Sequence, residues 1–309
     1  MRAEFAAELV SIARDDERVV LLTGDLGFAV LEPFAEQFPD RFFNVGVAEQ
    51  NMLGLATGMA DAGYIPVAYS IATFASMRPY EFLRNGAALH ELPVRLVGMG
   101  AGFDYGHNGV THYALEDVAI MRAQPAVTTI APADAEQACK ALRDTLELPQ
   151  PVYFRLCKEG ATVPGLDGGR FELGRATRIA EGEDVALVAL GNMAGTAIAA
   201  AEQLASAGVS ADVIVVSSFN PSPTDDIAEM LEGLPLAVTI ESHYLTGGLG
   251  SFVAEVIAER NLGCRLLRRG IAEMPRGATG SPAYLYERTG LSPAQIARSA
   301  SEALNLVQR

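Results

Sequence analysis

The 309 residues are 50% hydrophobic and 20% charged, enough apolar side chain for a packed core, which excludes an intrinsically disordered chain. Against 23 lysines and arginines stand 38 aspartates and glutamates, a formal charge of −15; so acidic a surface repels nucleic acid and anionic membranes. With no apolar run near the ~20 residues of a membrane span, no signal-peptide pattern at Met1-Arg2-Ala3-Glu4, and Cys139, Cys157 and Cys264 too scattered for a disulfide frame or zinc site, a cytoplasmic protein is expected. In chain order, apolar β-rich runs at 19–22, 65–69, 94–97, 127–130 and 152–154 alternate with helical periodicity at about 2–14, 48–62, 78–90 and 134–146. Asp134 with Gln137 three positions on is a capping-box start to the last helix. Residues 161–183 are glycine-rich and weakly periodic, and read as a linker. The pattern then restarts: strand 185–190, helix about 194–207 ended by Gly208, strand 213–216, a helix opened by Ser222-Pro223, strand 236–240, helix 250–259, strand 265–268 and helix 292–305. Short, nearly continuous apolar strands are what a sheet covered on both faces requires. An α/β protein with two parallel-sheet domains, 1–160 and 184–309, is predicted.

Few residues in this frame could carry chemistry. Gly24-Asp25 follows the first strand and Asn51 lies downstream, which resembles the Gly-Asp-Gly … Asn signature that holds magnesium and diphosphate in thiamine-diphosphate enzymes. Leu26 replaces the third-position glycine and Gln50 precedes Asn51, so a structural turn is the alternative and no metal ligand is predicted. Glu49 opens a helix within the segment 43–52. It is either a surface residue complementing the helix dipole or, given Val45, Val47, Met52 and Leu53 around it, a buried carboxyl suited to proton transfer. Two of the four histidines, His107 and His112, share a glycine-containing stretch after the strand 94–97, where α/β proteins place ligands.

Five segments, VGVAEQNM (45–52), TFASMRPY (73–80), GHNGVTH (106–112), YFRL (153–156) and IESHYLTGGLGS (240–251), occur in the order and spacing of one family. Over its whole length the chain resembles the C-terminal half of transketolase, a pyrimidine-binding domain followed by the transketolase C-terminal domain, and looks like the second subunit of a split enzyme. The resemblance implies a transferase that moves a two-carbon ketol unit from a ketose to an aldehyde. It also implies thiamine diphosphate and magnesium as cofactors, and an N-terminal subunit that carries the diphosphate-binding domain in an α2β2 assembly. Glu49 matches the activating glutamate that hydrogen-bonds the aminopyrimidine; Phe74 and Tyr80 match aromatics of the pyrimidine pocket, and Asp25 lies at the remnant of the diphosphate signature. A third family aromatic falls at Met77. His112 matches a proton-handling, hydroxyl-binding histidine, and Arg155 an arginine that grips the substrate phosphate. Phe74 as core, His112 as a structural loop residue and Arg155 in a surface ion pair are the alternatives. Asn108 stands where an aspartate recognises a substrate hydroxyl, His107 where an acidic residue is usual, and Gly100 where a phosphate-contacting histidine is common. A donor or acceptor other than the standard sugar phosphates is therefore expected. His243 and Gly247, Gly248 and Gly250 read as structural, shaping a turn into a helix. The beta subunit of a 2-oxo-acid dehydrogenase, a deoxyxylulose-phosphate-synthase fragment and a non-catalytic scaffold are the competing readings.

Overall fold

The computed structural model describes residues 1–158 and 160–307; Glu159, Gln308 and Arg309 lie outside the described residues. The first half contributes strands β1 (Val19–Thr23), β2 (Phe42–Asn44), β3 (Ile65–Ile71), β4 (Arg95–Met99), β5 (Thr128–Ile130) and β6 (Val152–Leu156). The second contributes β7 (Ala176–Ala180), β8 (Val185–Leu190), β9 (Ala211–Val216), β10 (Ser218–Phe219), β11 (Leu236–Tyr244) and β12 (Arg265–Ile271). They form a seven-stranded sheet of order β10-β5-β6-β4-β3-β1-β2 and a five-stranded sheet of order β12-β11-β8-β9-β7. Side-chain alternation explains why both faces are covered. Val19 and Leu21 pack with Phe5, Leu9 and Phe154, whereas Val20 and Leu22 pack with Met52, Leu53 and Ala56 on the other face. Burying one such side chain contributes roughly 1.5–3 kcal/mol.

The expected α/β class holds, and both sheets are mostly parallel; each carries one antiparallel edge strand, β10 against β5 and β7 against β9. Two expectations need correction. The stretch 161–183 is more than a linker, because it supplies β7, and Val163, Leu166 and Phe171 are buried in the flanking cores. The helix expected over 78–90 begins earlier, as Ala72–Met77, breaks at Pro79, and resumes as Tyr80–Phe82 and a π-helical turn Leu83–Ala88. Pro79 lacks the N–H that would continue the first segment but is tolerated at the start of the second.

The two halves share one seam. β10, from the second half, is an edge strand of the first sheet, while Phe103, Tyr113 and Leu115 of the first half belong to the core under the second sheet. The Asp134 carboxylate caps its helix, accepting from the Gln137 N–H at 2.9 Å. The Gln137 amide oxygen in turn accepts from the Ala133 N–H at 2.7 Å and from the Ser217 hydroxyl at 2.9 Å, so this cap is also an inter-domain tie. Among the described residues no helix is long and apolar enough to cross a membrane. All three cysteines are free, Cys157 and Cys264 buried and Cys139 half-buried.

Candidate active site

The carboxyl-terminal edge of the first sheet is where β1, β3 and a helix N-terminus converge on Glu49. After β2 the chain turns through Gly46, at φ +71, and enters the helix Glu49–Asp61. Although it occupies the first helical position, Glu49 points inward and is only 2% exposed, which settles the choice between surface cap and buried carboxyl. Its Oε1 accepts from the Ser70 hydroxyl of β3 at 3.0 Å, and its Oε2 from Arg78 Nη1 at 2.8 Å. Gly24, just past β1, lies against the same carboxylate: a Cβ there would be in van der Waals contact with Glu49 Oε1, at 3.4 Å. A cleft of about 620 Å³ opens on this carboxyl, lined by Val47, Ala48, Glu49, Gln50, Asn51 and Arg78.

From Arg78 a chain of ring contacts leads away from Glu49. The guanidinium carbon lies 3.7 Å from the centroid of the Phe74 ring, and Phe74 meets the His112 imidazole edge-on at 5.1 Å. His112 Nδ1 is 3.0 Å from the Thr111 hydroxyl, and the ring lies 6.2 Å from that of Tyr105. Over Tyr105, at 3.5 Å from its centroid, sits the ammonium of Lys158, whose burial pushes its pKa down. Glu49, Phe74 and His112 thus belong to one contiguous group, joined by Arg78, Tyr105 and Lys158, which sequence reasoning missed. Gly100 offered a signal for Tyr105: at φ +91, a Cβ there would overlap the Tyr105 ring, so the tyrosine fills the space beside the departure from the family pattern.

The remaining expected residues are placed differently. Arg155 is 2% exposed and does not face the cleft; its Nε donates to Asp117 at 2.9 Å and its Nη2 to the Ala114 and Ser242 carbonyls at 3.1 and 2.8 Å. Its Nε and Nη2 are committed to the inter-domain seam, and burial excludes the surface ion pair weighed as its alternative. Tyr153, two residues earlier and so on the same strand face, donates to the same Asp117 oxygen at 2.8 Å. The Tyr80 hydroxyl donates to the Ile120 carbonyl at 2.9 Å and accepts from Gln124 at 2.8 Å. Asp25 is exposed at φ +60 and accepts from the Asn44 amide at 2.9 Å; Met77, His107 and Asn108 are exposed. His243 is fully buried, its Nδ1 donating to the Tyr244 carbonyl at 2.7 Å and its Nε2 accepting from the Ala119 N–H at 3.2 Å. Nearby, Glu241 accepts from the Leu249 and Gly250 N–H groups at 2.8 Å each, and a Cβ on Gly248 would collide with its carboxylate. These glycines let a helix N-terminus close on a buried acid, the structural role expected for them.

Comparison with known proteins accords with this geometry. Residues 1–162 match the transketolase pyrimidine-binding domain and residues 174–296 the transketolase C-terminal domain. A 6-deoxy-6-sulfo-D-fructose transketolase subunit, SqwH, from Clostridium sp. is 36% identical over 98% of this chain and 94% of its own length. An apulose-4-phosphate transketolase subunit from Phocaeicola vulgatus is 30% identical, covering 97% of this chain and 96% of its own. A solved split-gene transketolase, described as an inactive beta4 tetramer, superposes with a TM-score of 0.89 at 36% identity, covering 99% of this chain and 98% of that one. A buried glutamate at a helix start, an aromatic face beside it and both domains of the family in sequence lead to one conclusion: the chain belongs to the transketolase family, as a pyrimidine-binding domain followed by a transketolase C-terminal domain.

Proposed function

We propose that this chain is the pyrimidine-binding subunit of a split, thiamine-diphosphate-dependent transketolase that transfers a two-carbon ketol unit from a ketose to an aldehyde. The observation that carries the reading is Glu49, buried at the head of its helix with its carboxylate turned toward the cleft and Phe74 close by. These residues suit the pyrimidine end of the cofactor. The diphosphate end has no such provision: Asp25 is exposed and bonded to Asn44, and among the described residues no group of three or more His, Cys, Asp or Glu is placed to hold a metal. In this reading magnesium and diphosphate are held by a second chain, most simply in a two-plus-two assembly in the cytoplasm, where the three free thiols stay reduced. The family relatives, themselves designated subunits, support this division.

When bound, the cofactor supplies the nucleophilic carbon and the electron sink. Glu49 holds and relays the proton at N1′ of the pyrimidine, with Ser70 fixing the carboxylate from the far side. Phe74 offers a flat apolar face, and His112 beside it moves protons to and from substrate hydroxyls. Lys158, in place of Arg155, is the cation that holds an anionic end group. With Gly100 and Tyr105 reshaping that end and the amide of Asn108 both donating and accepting, a substrate outside the standard sugar phosphates is favoured. Relatives named for sulfo-fructose and apulose phosphate support the same direction. The test is reconstitution with the diphosphate-binding chain and product analysis over a panel of ketoses and aldehydes. A ketose product is expected. Acyl transfer to a lipoyl acceptor, or activity unchanged in Glu49→Gln, would replace the proposal with the dehydrogenase or scaffold reading.

A further inference from the structure

We propose that Arg78 is a positioning residue that stands in for the aminopyrimidine: its guanidinium occupies the same carboxylate and the same aromatic ring that the cofactor needs, so that loading requires Arg78 to swing out. The inference rests on the cleft being a pyrimidine site, as argued above. A guanidinium is flat, cationic and edged with N–H donors. An aminopyrimidine protonated at N1′ shares all three properties. Here the guanidinium carbon sits 3.7 Å from the Phe74 centroid, a stacking distance, while Nη1 donates to Glu49 Oε2 at 2.8 Å. Two flat groups cannot use one ring face and one in-plane acceptor direction together.

The surroundings permit the exchange. The Arg78 side chain is 41% exposed whereas that of Glu49 is 2% exposed, so the arginine has solvent to move into and the glutamate does not. Glu49 Oε1 stays bonded to Ser70, a residue of β3 that is itself fully buried, so the carboxylate keeps its aim when Oε2 is released. Until a ring arrives, Arg78 keeps a buried carboxylate from standing unpaired, which would be costly. The same contact penalises cofactor binding, because the ring gains its partners only by displacing the arginine. Without a second chain to anchor the diphosphate, the pyrimidine alone has little with which to compete.

The experiment is calorimetric titration of thiamine diphosphate with magnesium into the reconstituted two-chain complex, comparing wild type with Arg78→Met and Arg78→Lys. Methionine keeps the apolar stem but removes the N–H donors; lysine keeps the charge but not the plane. Tightening of the cofactor Kd by about tenfold in Arg78→Met is expected, with Arg78→Lys in between. Adding Arg78→Met to Glu49→Gln should tighten binding by less than twofold, since the displaced ion pair is already gone. An unchanged or weaker Kd in Arg78→Met, with Arg78→Lys equal to wild type, overturns the proposal and leaves the subunit assignment intact. So does a raised substrate KM at constant cofactor Kd, which would place Arg78 on the substrate instead. If the wild-type complex binds no thiamine diphosphate, the pyrimidine-site reading itself falls, and this inference with it.

Discussion

Glu49 and the pair Arg155 and Lys158 are the residues at which function can be separated from structure. Glu49→Gln keeps the shape and the bond from Ser70 but cannot relay a proton. Turnover of the reconstituted enzyme should fall by about two to four orders of magnitude with assembly intact, checked by steady-state kinetics and gel filtration. Arg155 and Lys158 are two cations at the end of one strand with opposite expected phenotypes. Arg155→Met leaves Asp117 as a buried carboxylate short of its partner, and its Oδ1 already lacks one. A loss of about 3–5 kcal/mol in urea unfolding is expected, with KM unchanged in whatever protein remains folded. Lys158→Ala should instead raise KM for an anionic substrate about tenfold or more, the scale of a charge-assisted hydrogen bond, while the unfolding midpoint stays put. A KM effect confined to Arg155 would reverse the assignment.

At the level of elements, local chemistry sets ends and tertiary packing sets partners. The Asp134 carboxylate accepts from the Gln137 N–H, as the capping pattern predicts, but its other oxygen accepts from the Val163 N–H at 3.1 Å, a bond from the stretch read as linker. Asp134→Ala should therefore cost more than the ~1 kcal/mol of a simple cap, and Asp134→Asn less than alanine, both read from chemical denaturation. The helix Pro282–Thr289 was legible and missed: Ser281 caps it, accepting from the Tyr284 N–H at 3.2 Å, Pro282 takes its first position, and Gly290, at φ +78, ends it. The start at Ala72 was not legible. Pro79 punctuates the sequence more loudly than the helix that precedes it, and the helical status of 72–77 depends on packing against β3 and β4.

For the whole molecule, the seam between the halves concentrates buried polar groups, and it should respond to pH. Burial pushes the Glu241 carboxyl up from 4.5 to about 7, against the two N–H groups it accepts from. Between those values the folded chain holds a proton that the unfolded chain has lost. Glu241 thus adds stability that is complete below pH 4.5 and fades as pH rises through 7, by at most about 1.4 kcal/mol per unit. His243, whose pKa burial pushes down, acts with the opposite sign, since only the unfolded chain takes its proton. The readout is accordingly a difference. The unfolding free energy of Glu241→Gln minus that of wild type should rise between pH 5 and 7 and level off above, and a flat difference would show that Glu241 is ionised throughout.

The sequence by itself determined the order and kind of most elements, the two-domain plan and the placing of Glu49 at a helix start, because periodicity, caps and a local motif are short-range signals. It also determined that Phe74 and His112 belong with Glu49, through segments whose spacing is that of the family. What only the tertiary structure decided are pairings between residues far apart in the chain. Arg78 meets Glu49 across 29 positions, and β10 crosses to the first sheet. The directions of Arg155 and Lys158 also turned on the seam: Asp117 and the Ser242 carbonyl draw the arginine inward, and the chain leaving β6 carries the lysine out over Tyr105. A cation's identity is written in one residue, but its direction is set by the distant groups that can satisfy its charge.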